Sequence, residues 1–341
     1  MSYKHNQTLP KKLSDFYDTL FQALLQRHDG TKPGFTRNRK CKIDDTECRK
    51  IFECICILTK DNSVMPLTHD GIIHIAKKSL EANHSNAKAT AYLDDIVKVT
   101  CLLVKDGEEY RYIHKTVQEY YAASYVRSKP DSWAQIFYTR MRVNHTAHSW
   151  TQELEFLSEI DSFRYNSYFY IPGICSLFKT TEDGIRSINE HFSPEQTFAL
   201  AKLTRIKFTF CDDDINSIQW QTQSANAHPA IARLSTSLMH ALIESCAMEG
   251  IYRMFSSTPV HKLPLAKDYE SYEFHEQATK TNKRIYRETE LRSITDYDIA
   301  KDQQLIINTV QKVYGAELRK AKEILKTIKE QESTSVLEGL F

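Results

Sequence analysis

Apolar positions along the chain mark out helices first. Leu13, Phe16, Tyr17, Leu20, Phe21, Leu24 and Leu25 recur at steps of three and four, which predicts an amphipathic helix over residues 12–27 with Ser14 as a candidate cap. Asp29-Gly30-Thr31-Lys32-Pro33-Gly34 breaks that pattern. The next helix is predicted over about 46–59, with Ile51, Phe52, Ile55 and Leu58 on one face. A further helix over about 71–82 carries Ile72, Ile75, Ala76 and Leu80, and another follows over about 87–98.

The period then changes. Val99-Thr-Cys-Leu-Leu-Val104 reads as a strand, Lys105-Asp-Gly-Glu108 as a hairpin turn in which Gly107 tolerates positive φ, and Tyr110-Arg-Tyr-Ile113 as the return strand. Thr116-Val-Gln-Glu119 has the spacing of a capping box, which predicts a helix from Thr116 to about 127 burying Val117, Tyr120, Tyr121 and Ser124. Three helices, a two-stranded wing and a closing helix give residues 46–128 the order of a winged helix.

Beyond residue 130 the chain reads mostly as helices of moderate length, with breaks near Pro130, Pro172-Gly173, Ser193-Pro194 and His228-Pro229. No repeat of fixed period emerges. Residues 256–272, with Pro259 and Pro264, read as a connector. Ile307, Val310, Tyr314, Leu318, Ala321, Leu325 and Ile328 form one apolar stripe on a long helix, expected to pack against its own domain. The expected fold class is mainly α: a winged-helix module with a two-stranded wing, followed by a helical C-terminal region. The expected division is a helical segment over 1–42, the winged helix over 43–128, a helical domain over 129–265, and a connector with long helices over 266–341.

Composition narrows the function classes. A chain of 341 residues can hold two or three modules with real cores. Nine glycines disfavour a turn-rich all-β architecture. The net charge of +1 makes no electrostatic case for a nucleic-acid or acidic partner. Eight cysteines without a C-x-x-C pair, most within apolar runs, are expected as buried free thiols of a reducing compartment. No apolar run approaches the roughly 20 residues of a membrane span, and Met-Ser-Tyr-Lys-His-Asn lacks the apolar core of a signal peptide. A cytoplasmic protein without membrane association is expected.

One stretch carries more information than composition. Tyr110-Arg-Tyr-Ile-His-Lys-Thr-Val-Gln-Glu-Tyr-Tyr-Ala-Ala-Ser124 joins a hairpin end, a histidine and a helix start. It resembles the end of the winged-helix domain in NACHT-type signalling NTPases of the NLR-like, STAND class, which carry a pattern like F-hydrophobic-H-K-S-F-Q-E-Y-x-A there. The resemblance covers roughly residues 10–130, weakens to about 200 and is absent beyond. It implies that His114 contacts the β-phosphate of bound ADP and holds a switch closed. A helix start suits such a ligand, because its free N–H groups and dipole favour an anion.

The resemblance also shows what is missing. Phosphate binding in that family uses G-x-x-x-x-G-K-[ST], and this sequence contains none; Gly30-Thr-Lys-Pro-Gly34 lacks the spacing and the Gly-Lys pair. The chain looks like the C-terminal portion of such a protein, without catalytic function of its own. No cofactor is expected in isolation; ADP or ATP would be bound with a P-loop domain supplied in cis or in trans. The resemblance further implies a regulatory role, plausible in bacterial antiviral defence, with an unidentified trigger or effector protein and room for a homo-oligomer.

Other motifs are weaker. Phe208-Thr-Phe-Cys-Asp212-Asp213-Asp214 has the outline of a Walker B strand but lies after the winged helix, and is expected to be an acidic helix start or turn. His28-Asp29 is read as a helix end, and His69, His74, His84, His145 and His148 lack zinc-ligand spacing with cysteines. No G-x-S-x-G elbow is present. The alternative to a nucleotide switch is a winged-helix nucleic-acid-binding regulator with a helical partner-binding domain. Residues 40–128 hold 13 Lys/Arg against 13 Asp/Glu, and the would-be recognition helix ends in Asp94-Asp95, which argues against it. Arg37, Arg39, Lys40 and Lys42 form the best remaining basic patch.

Overall fold

The computed structural model describes residues 12–30, 39–61, 67–143, 147–201, 206–211, 214–222, 273–274, 284–290 and 303–333. It is mainly helical. Two compact units emerge: Met1–Tyr138 with Trp150–Tyr165, and Thr139–Ser149 with Asn166–Phe341.

The first unit begins with α1 (Leu13–Gly30) and α2 (Asp45–Asp61). Asp45 and Glu47 in the first turn of α2 and Lys60 in the last complement its dipole. Ile51, Phe52 and Ile55 are fully buried. A two-residue strand, β1 (Leu67–Thr68), leads into α3 (His69–Ala82), and the Thr68 hydroxyl accepts from the Gly71 N–H at 3.2 Å. His84, at φ 54°, turns the chain out of α3 in the left-handed region. Next come α4 (Ala89–Asp95) and a π-helical turn (Ile96–Thr100), which stops at Cys101 with φ 55°.

The hairpin follows as β2 (Leu103–Asp106) and β3 (Glu109–Tyr112), with Gly107 at φ 60° in its turn. Strand order is β1-β3-β2, all antiparallel, with Leu67 opposite Tyr110 and Leu103 opposite Tyr112. The predicted strand start at Val99 is therefore corrected to Leu103. Val99 and Thr100 prolong the helix as a π turn, in which the Thr100 hydroxyl donates to the Ile96 carbonyl at 2.6 Å.

Helix α5 (Lys115–Arg127) is embedded: Val117 through Ser124 and Val126 are all buried. It packs on α2 and on α7 (Thr151–Ile160), so α7 belongs to the first unit although the sequence placed it in a domain starting at 129. Aromatic rings fill the space between α1, α2, α5 and α7. Tyr17 stacks on Tyr120 at 5.3 Å, Tyr120 meets Phe156 edge-on at 5.4 Å, and Phe52 meets Tyr121 at 5.1 Å. Ser14 does not cap α1; it lies inside the helix and donates to Glu159 at 2.6 Å. Helix α6 (Asp131–Val143) runs through the unit boundary, and α8 (Ser162–Tyr165) ends the first unit.

In the second unit, a π turn (Asn166–Tyr170) leads to α9 (Ile171–Phe178), α10 (Glu182–Ser187) and α11 (Pro194–Ala201). The expected run of helices is interrupted by β4 (Ile206–Cys211), β5 (Asp214–Thr222), β6 (Glu273–Phe274) and β7 (Arg284–Glu290), a sheet of order β5-β4-β7-β6. The Walker B look-alike is resolved here. Ile206–Cys211 is a strand, and Cys211 pairs with Asp214, the first residue of β5, where a helix start or turn was expected; Asp212 and Asp213 lie outside the described residues. Helix α12 (Gln303–Ser333) buries the middle of the expected stripe: Val310, Tyr314, Leu318, Ala321 and Leu325 are at most 1% exposed, while Ile307 and Ile328 at its ends are half-buried. It packs within its own unit against α9, α10 and α11. The predicted connector over 256–272 lies outside the described residues.

Candidate functional site

His114 sits where β3 hands over to α5. The Ile113 N–H still donates to the Leu102 carbonyl at 3.0 Å, closing the hairpin end, and His114 itself is extended at φ −150°, ψ 145°. Its carbonyl accepts the first helical bond, from the Val117 N–H at 3.1 Å. His114 is therefore the N-cap of α5. The helix begins before Thr116, and the predicted capping box is corrected: Thr116 lies within the first turn, and Glu119 pairs with Lys115 at 3.3 Å.

The cap fixes the chemistry of the imidazole. The Thr116 backbone N–H donates to His114 Nδ1 at 3.2 Å, and an N–H can only donate. Nδ1 is thus an acceptor without a proton. The Thr116 hydroxyl lies 2.7 Å from the same nitrogen and must donate to it. The Tyr17 hydroxyl of α1 is hydrogen-bonded to Thr116 Oγ1 in turn, and donates to it because the Thr116 proton is already used. In the neutral ring the proton then resides on Nε2. His114 is exposed, and no bond to Nε2 is made among the described residues. The arrangement offers one N–H donor at an open helix start.

Helix α1 is held to this site by a polar staple. Arg49 donates to the Asp18 carbonyl at 2.9 Å, to Asp18 Oδ1 at 2.7 Å and to Glu53 at 2.9 Å. Ser124 donates to Glu53 at 2.6 Å, and the Tyr121 hydroxyl to the Tyr17 carbonyl at 3.0 Å. Partial burial works to raise the Asp18 carboxyl. The hydrogen bond and charge of Arg49, with the Tyr120 hydroxyl, outweigh it and hold Asp18 below its ordinary value.

Two clefts among the described residues do not contain His114. One, of about 420 Å³, is lined by Phe21, Asp45, Arg49, Glu53 and Arg127. Arg127 ends α5, roughly 20 Å along the helix from the cap at 1.5 Å per residue. The other, of about 500 Å³, lies among Lys40, Lys42, Glu47, His84 and Lys88. An exposed histidine on an open surface can touch a phosphate but cannot enclose a nucleotide.

The remaining candidates are accounted for by structure. Arg39 pairs with Asp45 at 2.6 Å and Lys40 with Asp94 at 2.5 Å, so the basic patch is partly neutralised; Arg37 lies outside the described residues. Buried Asp95 accepts the backbone N–H groups of Lys40 and Cys41 at 3.0 and 2.8 Å, tying that loop to α4. His69 bonds the Tyr110 hydroxyl at 3.2 Å. Among the described residues no three His, Cys, Asp or Glu are grouped to hold a metal. Cys41, Cys48, Cys54 and Cys56 are buried free thiols, and burial pushes Cys48 up to about 12, which leaves it unreactive. Cys101 departs from the expectation and is exposed. No described helix is long and apolar enough to cross a membrane.

Sequence reasoning found His114 but missed Tyr17, whose hydroxyl bonds Thr116 across 99 residues of chain. Tyr17 carried only a helical apolar signal.

No family model, curated protein or solved structure matches the chain.

Proposed function

We propose that this chain is a non-catalytic regulatory portion of a NACHT-type nucleotide switch. In this reading α2, α3 and α4 with the β2–β3 wing form a winged helix, and α5 closes it. The single observation that carries the reading is the state of His114: exposed, capping a helix start, with Nε2–H as its outward donor. A phosphate oxygen is the complementary group, since the helix dipole and the donor both favour an anion. The rest of the nucleotide would be held by a P-loop domain in cis or in trans.

The apolar surroundings support a docked neighbour. Ile113 is 58% exposed, and Leu13 and Phe16, within a turn of Tyr17 on α1, are 51% and 41% exposed. Such groups suit a covering protein surface better than water.

The test is ADP affinity of the chain combined with a P-loop domain, wild type against His114→Ala, with folding checked for both. A charge-assisted hydrogen bond contributes about 1.5–3 kcal/mol, so the expected weakening is roughly ten- to a hundredfold. The chain alone is expected neither to hydrolyse ATP nor to retain ADP. Equal affinities of the two reconstituted pairs, or ATP turnover by the chain that a point change abolishes, would sink the proposal.

One observation favours the nucleic-acid alternative: Lys42, Lys88 and His84 share a cleft with Lys40. Against it, Asp94 takes both Lys40 and Lys98, at 2.5 and 2.6 Å, on the helix that would enter a groove. Salt-sensitive DNA binding lost in Lys42→Ala/Lys88→Ala would reverse this preference.

A further inference from the structure

We infer that Tyr17 and Thr116 are positioning residues which set His114 as an Nε2 donor toward a phosphate-bearing ligand, and that α1 is thereby coupled to the latch. The ligand part of this inference rests on the reading above; the relay itself does not.

The direction of the relay follows from one bond. The Thr116 N–H can only donate, so Nδ1 accepts; the Thr116 hydroxyl then donates to Nδ1 and the Tyr17 hydroxyl to Thr116. Both donors converge on one ring nitrogen and disfavour its protonation in the neutral imidazole. An exposed histidine without them would sample both tautomers and rotate freely, so its outward donor would not be fixed. Such bonds to the inner nitrogen orient histidine ligands generally.

Tyr17 brings the position of α1 into this arrangement. Its ring is buried between Tyr120 and Phe156, at 5.3 and 6.1 Å, and its carbonyl accepts from Tyr121. The hydroxyl reaches Thr116 only while α1 lies on α5. A displacement of α1 by a bound partner would remove the Tyr17 bond and leave the Thr116 hydroxyl free to turn, so that the backbone N–H would be the one fixed donor to the His114 ring. Loosening α1 is thus a route by which a signal reaches the latch without touching it.

The experiment reads the nitrogens of His114 directly in the full chain. Two-bond proton–nitrogen correlation of uniformly labelled protein at about pH 8, where ordinary imidazole is neutral, distinguishes the tautomers. In the wild type Nδ1 is expected to resonate as unprotonated and Nε2 as protonated. Thr116→Val is expected to raise the Nδ1–H share about two- to tenfold, the worth of one hydrogen bond, and Thr116→Ser to restore it. Tyr17→Phe, which keeps the stacked ring, is expected to move it the same way by less. A loss of stability alone would not move this ratio, and circular dichroism checks the fold of each variant. A wild-type ring protonated on Nδ1, or identical ratios in wild type and Thr116→Val, overturns the relay whatever the nucleotide result. A shifted ratio with unchanged ADP affinity in the reconstituted pair upholds the relay and counts against the nucleotide-latch reading.

Discussion

Lys60→Met is expected to destabilise the first unit by about 3–5 kcal/mol at neutral pH, because it leaves a buried carboxylate without its counter-charge. Glu153 on α7 is wholly buried, and Lys60 Nζ, at the end of α2, stands 2.8 Å from its Oε1. Burial raises the Glu153 carboxyl above its ordinary value, and the charge of Lys60 opposes this without cancelling it; Glu119 adds like charge on the same side. A carboxyl raised on folding contributes stability that is present below its unfolded value, near 4.5, and is lost as the pH climbs through the folded value. Without Lys60 that loss deepens. Denaturant unfolding at several pH values should show the gap between wild type and variant shrinking as the pH falls toward the ordinary carboxyl range. Lys60→Met/Glu153→Leu should regain most of the loss, since a buried pair replaced by apolar groups is often neutral. A gap below about 1 kcal/mol, the worth of a surface pair, or one independent of pH, would contradict the assignment.

Tyr120→Ala carries a comparable expected cost, about 3–5 kcal/mol. Its ring is fully buried between Tyr17 and Phe156, with Tyr121 edge-on at 5.2 Å, and its hydroxyl donates to Asp18 at 3.2 Å. Truncation opens a cavity where α1, α5 and α7 meet. Tyr120→Phe, which removes only the hydroxyl, should cost roughly 1 kcal/mol. Equilibrium unfolding of both variants separates the two contributions, and a loss under about 1 kcal/mol for Tyr120→Ala would mean the ring is not held between these helices.

Helices were legible wherever an apolar face repeated over several turns. Ile51, Phe52 and Ile55, and the stripe from Val310 to Leu325, fell on buried faces as their spacing required. The hairpin was legible through Gly107, although its first strand starts later than the apolar run at 99–104 suggested. A π turn and the end of an α-helix use the same residue types, so Val99 and Thr100 gave no warning. Strand β1 is two residues long and exists through its pairing with β3, a relation no local pattern records. In β4, Ile206, Phe208 and Phe210 do alternate with Lys207 and Thr209, yet the strand is completed by β7, some eighty residues on in the chain. The candidate site divides in the same way. His114 stood out locally, at a strand–helix junction. Thr116 carries the usual cap signature, Ser or Thr three residues before Glu, but the histidine two residues earlier takes that role through its ring nitrogen. Tyr17 entered only through tertiary packing.

Helix α5 has a mechanical consequence. Eight consecutive side chains from Val117 to Ser124 are buried, so neighbours enclose it on every side and it has no solvent face about which to turn. Close-packed interiors rearrange between discrete states and do not glide. The helix that carries His114 therefore behaves as an axle set in its housing. Moving the imidazole therefore means moving the helices packed around α5 with it.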